Sequence, residues 1–246
     1  MSLITFENVT KRFNGRAVLD GLTFSVEKGE ILAIVGPSGT GKSVTLKHLV
    51  RLIEPDAGRI LFDGIDVVSC GAAELAAIRS RIGYLFQGGA LLAWLTVAEN
   101  VALPLRECTD LDEAEIGRRV AAALADVELT DAADKYPSEI SGGMQKRAGL
   151  ARAIVRECEV VLYDEPTSGL DPVTSVVINR LIRKLNQERG ITSVVVTHDL
   201  AAALRFANRV MLLKDGHVVA CAEPSAFESL PNPDVQEFLA AMKGEV

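Results

Sequence analysis

The chain has 246 residues, 48% of them hydrophobic and only 5% aromatic, which is enough for a sizeable aliphatic core and excludes a disordered polypeptide. Its 26 basic residues against 33 acidic ones leave a formal charge of −7, which argues against a nucleic-acid partner, since neutralising phosphates takes a cationic excess. No apolar run reaches the roughly 18–20 residues of a membrane span, the nearest being Ala90 to Ala98, and the opening residues lack the charged-then-apolar layout of a signal peptide.

Taken in chain order, the first predicted elements are strands. Apolar and polar positions alternate through Leu3, Thr5, Glu7 and Val9 and again through Leu22, Phe24 and Val26, with Asn14-Gly15 between them, an antiparallel strand-and-turn pattern. Ile31 to Val35 is a continuous apolar run, as in a strand buried on both faces, and ends at a glycine-rich turn. A helix is predicted from Val44 to Ile53, closed by Pro55 and Gly58. Arg59 to Phe62 and Ile82 to Phe86 read as strands around a helical Ala72 to Arg81. Asp112 to Asp134 and Met144 to Glu157 read as helices, the second entered through Gly142-Gly143. Val160 to Tyr163 and Ser193 to Thr197 are short buried strands on either side of a long helix, Pro172 to Arg189, and the tail from Glu223 reads as short outer helices. Repeated strand–helix–strand units imply an α/β chain with a parallel sheet covered on both faces. Cys70, Cys108, Cys158 and Cys221 show no CxxC spacing and are expected to be reduced, mostly buried thiols of a cytoplasmic protein.

The residues Gly36, Pro37, Ser38, Gly39, Thr40, Gly41, Lys42 and Ser43 match G-x-x-x-x-G-K-[ST] in the setting the motif needs, after a buried strand and at the opening of a helix. Glycines let successive N–H groups curl around an anion, and the helix N-terminus adds its positive end. Lys42 would place a charge against the β- and γ-phosphates, and Ser43 would offer a hydroxyl to Mg²⁺. Val44, in the first turn, is counted with these nucleotide-binding positions. The plain alternative, a glycine-rich turn with a chance lysine, leaves the strand and helix on either side unexplained.

Val160 to Glu165 is an apolar strand ending in two acids. A lone Asp there would be the chain returning to solvent. With a phosphate loop in the same chain, Asp164 is expected to hold Mg²⁺ and Glu165 to polarise an attacking water, because a parallel sheet gathers its strand ends at one edge. His198 follows a strand in the same way. A second anion-binding terminus is suggested by Ser141-Gly142-Gly143, which open a helix ahead of Asp164. Two such termini in one chain suggest a head-to-tail dimer, with an ordinary N-capped helix as the alternative.

With these motifs in order, the sequence resembles the nucleotide-binding subunits of ABC transporters over essentially its whole length. Phe13 stands where an aromatic stacks on adenine, and Gly36 to Ser43 match the Walker A loop. Gln87 matches the glutamine that contacts Mg²⁺ and the attacking water. Ser141, Gly142 and Gly143 match the signature motif that grips the γ-phosphate across the dimer. Asp164 and Glu165 match the Walker B metal ligand and catalytic glutamate, Ser168 to Asp171 the D-loop, and His198 the switch histidine. The resemblance implies a P-loop NTPase with a RecA-like core, an antiparallel β subdomain and an α-helical subdomain from about 88 to 157. It also implies ATP and Mg²⁺ as ligands, a homodimer, membrane permease partners and a place on the cytoplasmic face of the inner membrane. Met144 stands where the wider family most often has glutamine.

Phe86 to Leu92, Glu99 to Leu105 and Ser141 to Met144 are similar to one branch, the ATPases of MCE-linked phospholipid transporters, and imply phospholipid cargo and an MCE-domain partner. Other readings are an importer of amino acids or small solutes, or a lipoprotein exporter. A DNA- or ribosome-directed ABC ATPase lacks support, since no long coiled coil or second cassette is present. A nucleotide kinase would have no use for Ser141-Gly142-Gly143 or His198. The apolar stretch Gly88 to Leu105 carries the single Trp94, expected to line a groove that receives a short permease helix.

Overall fold

The computed structural model describes residues 2–243. In chain order the elements are β1 (Ser2–Phe13), β2 (Arg16–Glu27), β3 (Ile31–Val35), α1 (Lys42–Leu49), β4 (Ala57–Phe62), β5 (Ile65–Asp66), α2 (Ala72–Ser80), β6 (Ile82–Leu85), α3 (Val97–Cys108), α4 (Glu113–Asp126) and α5 (Gly142–Ile154). They continue with β7 (Val160–Asp164), α6 (Pro172–Arg189), β8 (Thr192–Val196), α7 (Leu200–Phe206), β9 (Arg209–Lys214), β10 (His217–Ala222), α8 (Pro224–Glu228) and α9 (Pro233–Lys243). The chain divides into two compact units, residues 1–79 with 192–246, and residues 80–191.

The first unit holds two sheets. The expected antiparallel hairpin is present: β1 and β2 pair with Ile4 opposite Val26 and Phe6 opposite Phe24, and Asn14 and Gly15 turn the chain with positive φ. The pairing of β1 with β4 extends this sheet, and the Phe6 and Phe24 rings stack at 4.5 Å. In the second sheet β3 lies between β8 and β9, parallel to both, and β10 closes the edge antiparallel to β9. All five residues of β3 are buried, as a continuous apolar run predicts, and all five of β8 are buried too although it opens on polar Thr192 and Ser193. α7, α8 and α9 cover one face through Leu200, Ala203, Phe227, Val235 and Leu239, packed on Ala33, Val35, Val210 and Leu212. The short outer helices expected after Glu223 are therefore α8 and α9.

The second unit pairs β6 with β7 in parallel, Ile82 opposite Val160 and Leu85 opposite Tyr163. α5 lies close against β6, and a methyl on Gly149 would meet Leu85 Cδ1 at 2.9 Å and the Gly89 carbonyl at 3.0 Å. α3 and α4 pack on one another and on α5. α6 runs from Pro172 to Arg189, capped by Asp171 at one end and by Gly190 in the left-handed conformation at the other.

Several boundaries differ from the sequence reading. α1 begins at Lys42, two residues early, because left-handed Gly41 is its N-cap, and it ends at Leu49 because Arg51 takes a φ of 47°. α4 stops at Asp126, with Glu128 at a φ of 56°, and only a 3₁₀ turn at Thr130–Ala132 follows. The elements α3, α7, β9 and β10 were not anticipated. Among the cysteines only Cys158 is buried, while Cys108 is exposed and the other two are half-buried, so the expected burial holds for one of four.

Candidate functional site

The phosphate loop leaves the carboxyl end of β3 in the first unit. Val35 pairs with Leu212, so Gly36 lies beside Leu213 of β9, and a methyl there would run into the Leu213 backbone carbonyl. Gly36 has a φ of 150°, Gly39 of 81° and Gly41 of 96°, conformations that disfavour other residues. Lys42 is buried and folds back over its own loop, donating to the Gly36 carbonyl at 2.8 Å and the Pro37 carbonyl at 2.9 Å. The Thr40 hydroxyl donates to the Pro37 carbonyl at 2.9 Å. The N-cap of α1 is Gly41, which has no side chain with which to cap the first turn that carries Ser43 and Val44. Beside the loop is a cleft of about 410 Å³ lined by Arg16, Val18, Pro37 to Thr40 and the turn Lys214–Gly216. Phe13, 42% exposed, pairs with Arg16 at the end of β1, and Lys11 Nζ sits 5.5 Å from its ring.

His198 stands at the same sheet edge as the loop. Ile34 pairs with Val196, so the two strands end together, and the residues after them leave the sheet side by side. His198 is exposed, and the turn behind it is fixed by Asp199, whose N–H donates to Thr197 Oγ1 and whose carboxylate caps α7 at Ala202. The first unit thus carries Gly36 to Val44 and His198 at one sheet edge, and Phe13 at the end of β1.

In the second unit β7 delivers Asp164, 5% exposed, and the half-buried Glu165. The Tyr84 hydroxyl donates to Asp164 Oδ2 at 3.4 Å, and burial first, the Asp164 charge second, push this phenol well above its ordinary range, keeping it a donor. Glu165 has a φ of 51°, unusual for a residue with a side chain. Gln87 is exposed just beyond β6, ahead of a turn in which Gly89 N–H donates to the Phe86 carbonyl. Arg152 of α5 holds that turn through the Gly89 and Ala90 carbonyls at 2.7 and 2.8 Å.

Ser141 is the N-cap of α5, accepting from Met144 N–H at 3.3 Å, with Gly142 and Gly143 in the first turn. A methyl on Gly143 would overlap Thr174 Cγ2. Thr174 in turn donates to Asp171 Oδ2 at 2.5 Å, and this bond, with the backbone N–H groups of Thr174 and Val173, holds the Asp171 carboxyl below the usual carboxylate range. Gly143 and Asp171 therefore both meet the same threonine. The sequence reading missed Lys146, whose buried ammonium donates to the carbonyls of Glu165 at 3.0 Å and Ser168 at 2.7 Å. Burial lowers its pKa, against the Glu165 charge. A lysine inside an amphipathic helix gives no periodic signal of such a role.

A groove of about 470 Å³ in this unit is lined by Tyr84, Phe86, Leu103, Pro104, Arg152 and Arg156 among others. Trp94 is not one of its lining residues and is 72% exposed. Its loop is held by buried Asn100, which accepts from Leu92 N–H at 2.7 Å and donates to the carbonyls of Leu92, Leu95 and Thr96 at 2.9–3.1 Å.

A family model described as "ABC transporter" matches residues 19–168. The chain is 41% identical over 96% of its length to the probable ribonucleotide transport ATP-binding protein mkl of Mycobacterium tuberculosis, of which it spans 66%. It is 40% identical to the intermembrane phospholipid transport system ATP-binding protein MlaF of Escherichia coli, covering 97% of this chain and 88% of that one. A solved dimeric ATP-binding cassette in a post-hydrolysis state with ADP and Pi superposes with a TM-score of 0.82 at 36% identity, covering 90% of this chain and 98% of that one. Among the described residues no helix is long and apolar enough to cross a membrane.

Proposed function

The chain belongs to the ABC transporter family, and from that premise we propose that it is the ATP-hydrolysing subunit of a transporter that moves phospholipid between bacterial membranes. The observation that carries the ATPase reading is the glycine loop at the end of β3, with Lys42 folded over it and a helix that starts from left-handed Gly41 behind it. The cargo rests on the likeness to MlaF. The name of the mycobacterial relative supports a second reading in which a small solute is carried.

In this proposal the adenine stacks on Phe13, while Gly36 to Val44 cradle the triphosphate. The donors Ser43, Gln87 and Asp164 are hard oxygen ligands of the kind Mg²⁺ accepts alongside phosphate and water, so they fit that ion. When bound, the ion neutralises charge on the β- and γ-phosphates. Glu165 takes a proton from the attacking water, which Gln87 and His198 orient. Ser141, Gly142, Gly143 and Asp171 serve the nucleotide of a second copy in a homodimer. Residues 88–157 form the helical subdomain, and the groove beside Pro104 and Arg152 receives a permease helix, with exposed Trp94 as a further contact. The subunit works at the cytoplasmic face of the inner membrane, beside an MCE-domain protein, without nucleic acid.

The test is a tagged pull-down from detergent-solubilised native membranes. Recovery of a permease with an MCE-domain protein supports phospholipid transport. A solute-binding protein in its place overturns the cargo, and no membrane protein at all overturns the transporter reading. In parallel, Glu165→Gln is expected to bind ATP while losing nearly all turnover, and brisk turnover would reassign the base.

A further inference from the structure

We infer that Lys146 is a positioning residue for Glu165, tying the helix that begins at Ser141 to the backbone from which the base projects. The inference rests on the reading of Glu165 as the base. Glu165 is held at a φ of 51°, a left-handed conformation that persists in a residue with a side chain only where the surroundings over-determine it. Its carbonyl accepts from Ser168 N–H at 3.2 Å and from Lys146 Nζ at 3.0 Å, and the same ammonium reaches the Ser168 carbonyl at 2.7 Å. Lys146 therefore clamps both ends of the turn 165–168. Fixing the Glu165 carbonyl fixes its peptide plane, and with it the direction in which the side chain leaves the main chain.

The lysine is 6% exposed, so water does not replace its two bonds readily. Its helix is also seated at Gly143 against Thr174, leaving it two anchoring points on the segment that follows β7. An ammonium is suited to this place because its donors rotate freely and meet two carbonyls that do not lie in one plane.

The experiment compares ATP turnover by the full-length chain with that of Lys146→Met, which keeps length and apolar stem but has no donor, and Lys146→Arg, which restores donors. Lys146→Met is expected to lower kcat about tenfold to a hundredfold, the range for a misplaced catalytic group, with KM for ATP changed less than about twofold. Lys146→Arg is expected to recover most of kcat. Because Lys146 acts through Glu165, adding Lys146→Met to Glu165→Gln is expected to cost no further turnover. Unchanged kcat in Lys146→Met, or losses that multiply in the double variant, would overturn the inference while leaving Glu165 as the base. Full turnover by Glu165→Gln would instead overturn the base assignment, and the inference with it. If Lys146→Met does not fold, Lys146→Gln, which keeps a donor, is held to the same pattern on a smaller scale.

Discussion

Replacing Asn100 tests whether one buried amide organises the loop that carries Trp94. Asn100→Ala deletes four contacts at 2.7–3.1 Å. Two of the groups left behind keep other partners: the Thr96 carbonyl accepts from the Asn100 backbone N–H, and the Leu92 carbonyl from Leu95 N–H. The Leu92 N–H and the Leu95 carbonyl lose the amide that served them. At about 1 kcal/mol or more for each half-buried group, plus the space vacated, the loss comes to roughly 2–4 kcal/mol. For a chain of this size that lowers Tm by about 4–16 °C. Asn100→Asp is more discriminating. It keeps the acceptor for Leu92 N–H but turns a carboxylate toward three carbonyl oxygens, which favour its protonated, donating form and raise its pKa in the folded state. Stability of the Asp variant should approach wild type below the ordinary carboxylate range and fall away as pH rises through that raised pKa. Thermal melts from pH 4 to 8 read both effects. An Asp variant as stable as wild type at pH 8 would refute the reasoning, because the three donated bonds would then be contributing nothing.

Other expectations follow from single side chains. Lys42→Ala should weaken ATP binding about tenfold to 150-fold, the range for charge-assisted bonds to phosphate, in a fluorescent-nucleotide titration; unchanged affinity would contradict its role. His48 is buried with Nδ1 2.7 Å from the Ile53 carbonyl, and burial lowers its pKa from 6.5. Its stabilising contribution is therefore present above pH 6.5 and lost as pH falls through the lowered value, so urea midpoints should drop between pH 7.5 and 5 by more in wild type than in His48→Gln. Burial pushes the Cys158 thiol up to about 11. A thiol reagent should label exposed Cys108 in the native protein and reach Cys158 only on unfolding, as mass spectrometry of the labelled peptides would show.

The chemistry-bearing positions were more legible than the scaffold around them. A phosphate loop announces itself because its glycines, lysine and serine are fixed by backbone conformation and phosphate geometry, and β3 and Val160 to Tyr163 of β7 because doubly buried strands are apolar runs, as are the three valines that close β8. The hairpin of β9 and β10 went unread although Asp215-Gly216 is a strong turn signal, and both residues take positive φ. α3 was obscured by Pro104 in its interior and by the apolar stretch from Gly88 that leads into it, while its capping box, Thr96 with Glu99, was available in the sequence. Asn100, Lys146 and Arg152 could not have been found by periodicity. Each is a polar side chain whose partners are backbone groups, and backbone groups carry no sequence signature.

The position of Gly36 against Leu213 has a consequence for biosynthesis. The glycine loop is synthesised well before the strand it rests against, since Leu213 lies more than 170 residues downstream of Gly36. At about 5–20 residues per second, some 9–35 s separate the two. Until β9 arrives, β3 lacks one of its two parallel neighbours and the glycine loop lacks the backbone it rests on. A nascent chain that stops short of β9 therefore carries the motif without the backbone it rests on.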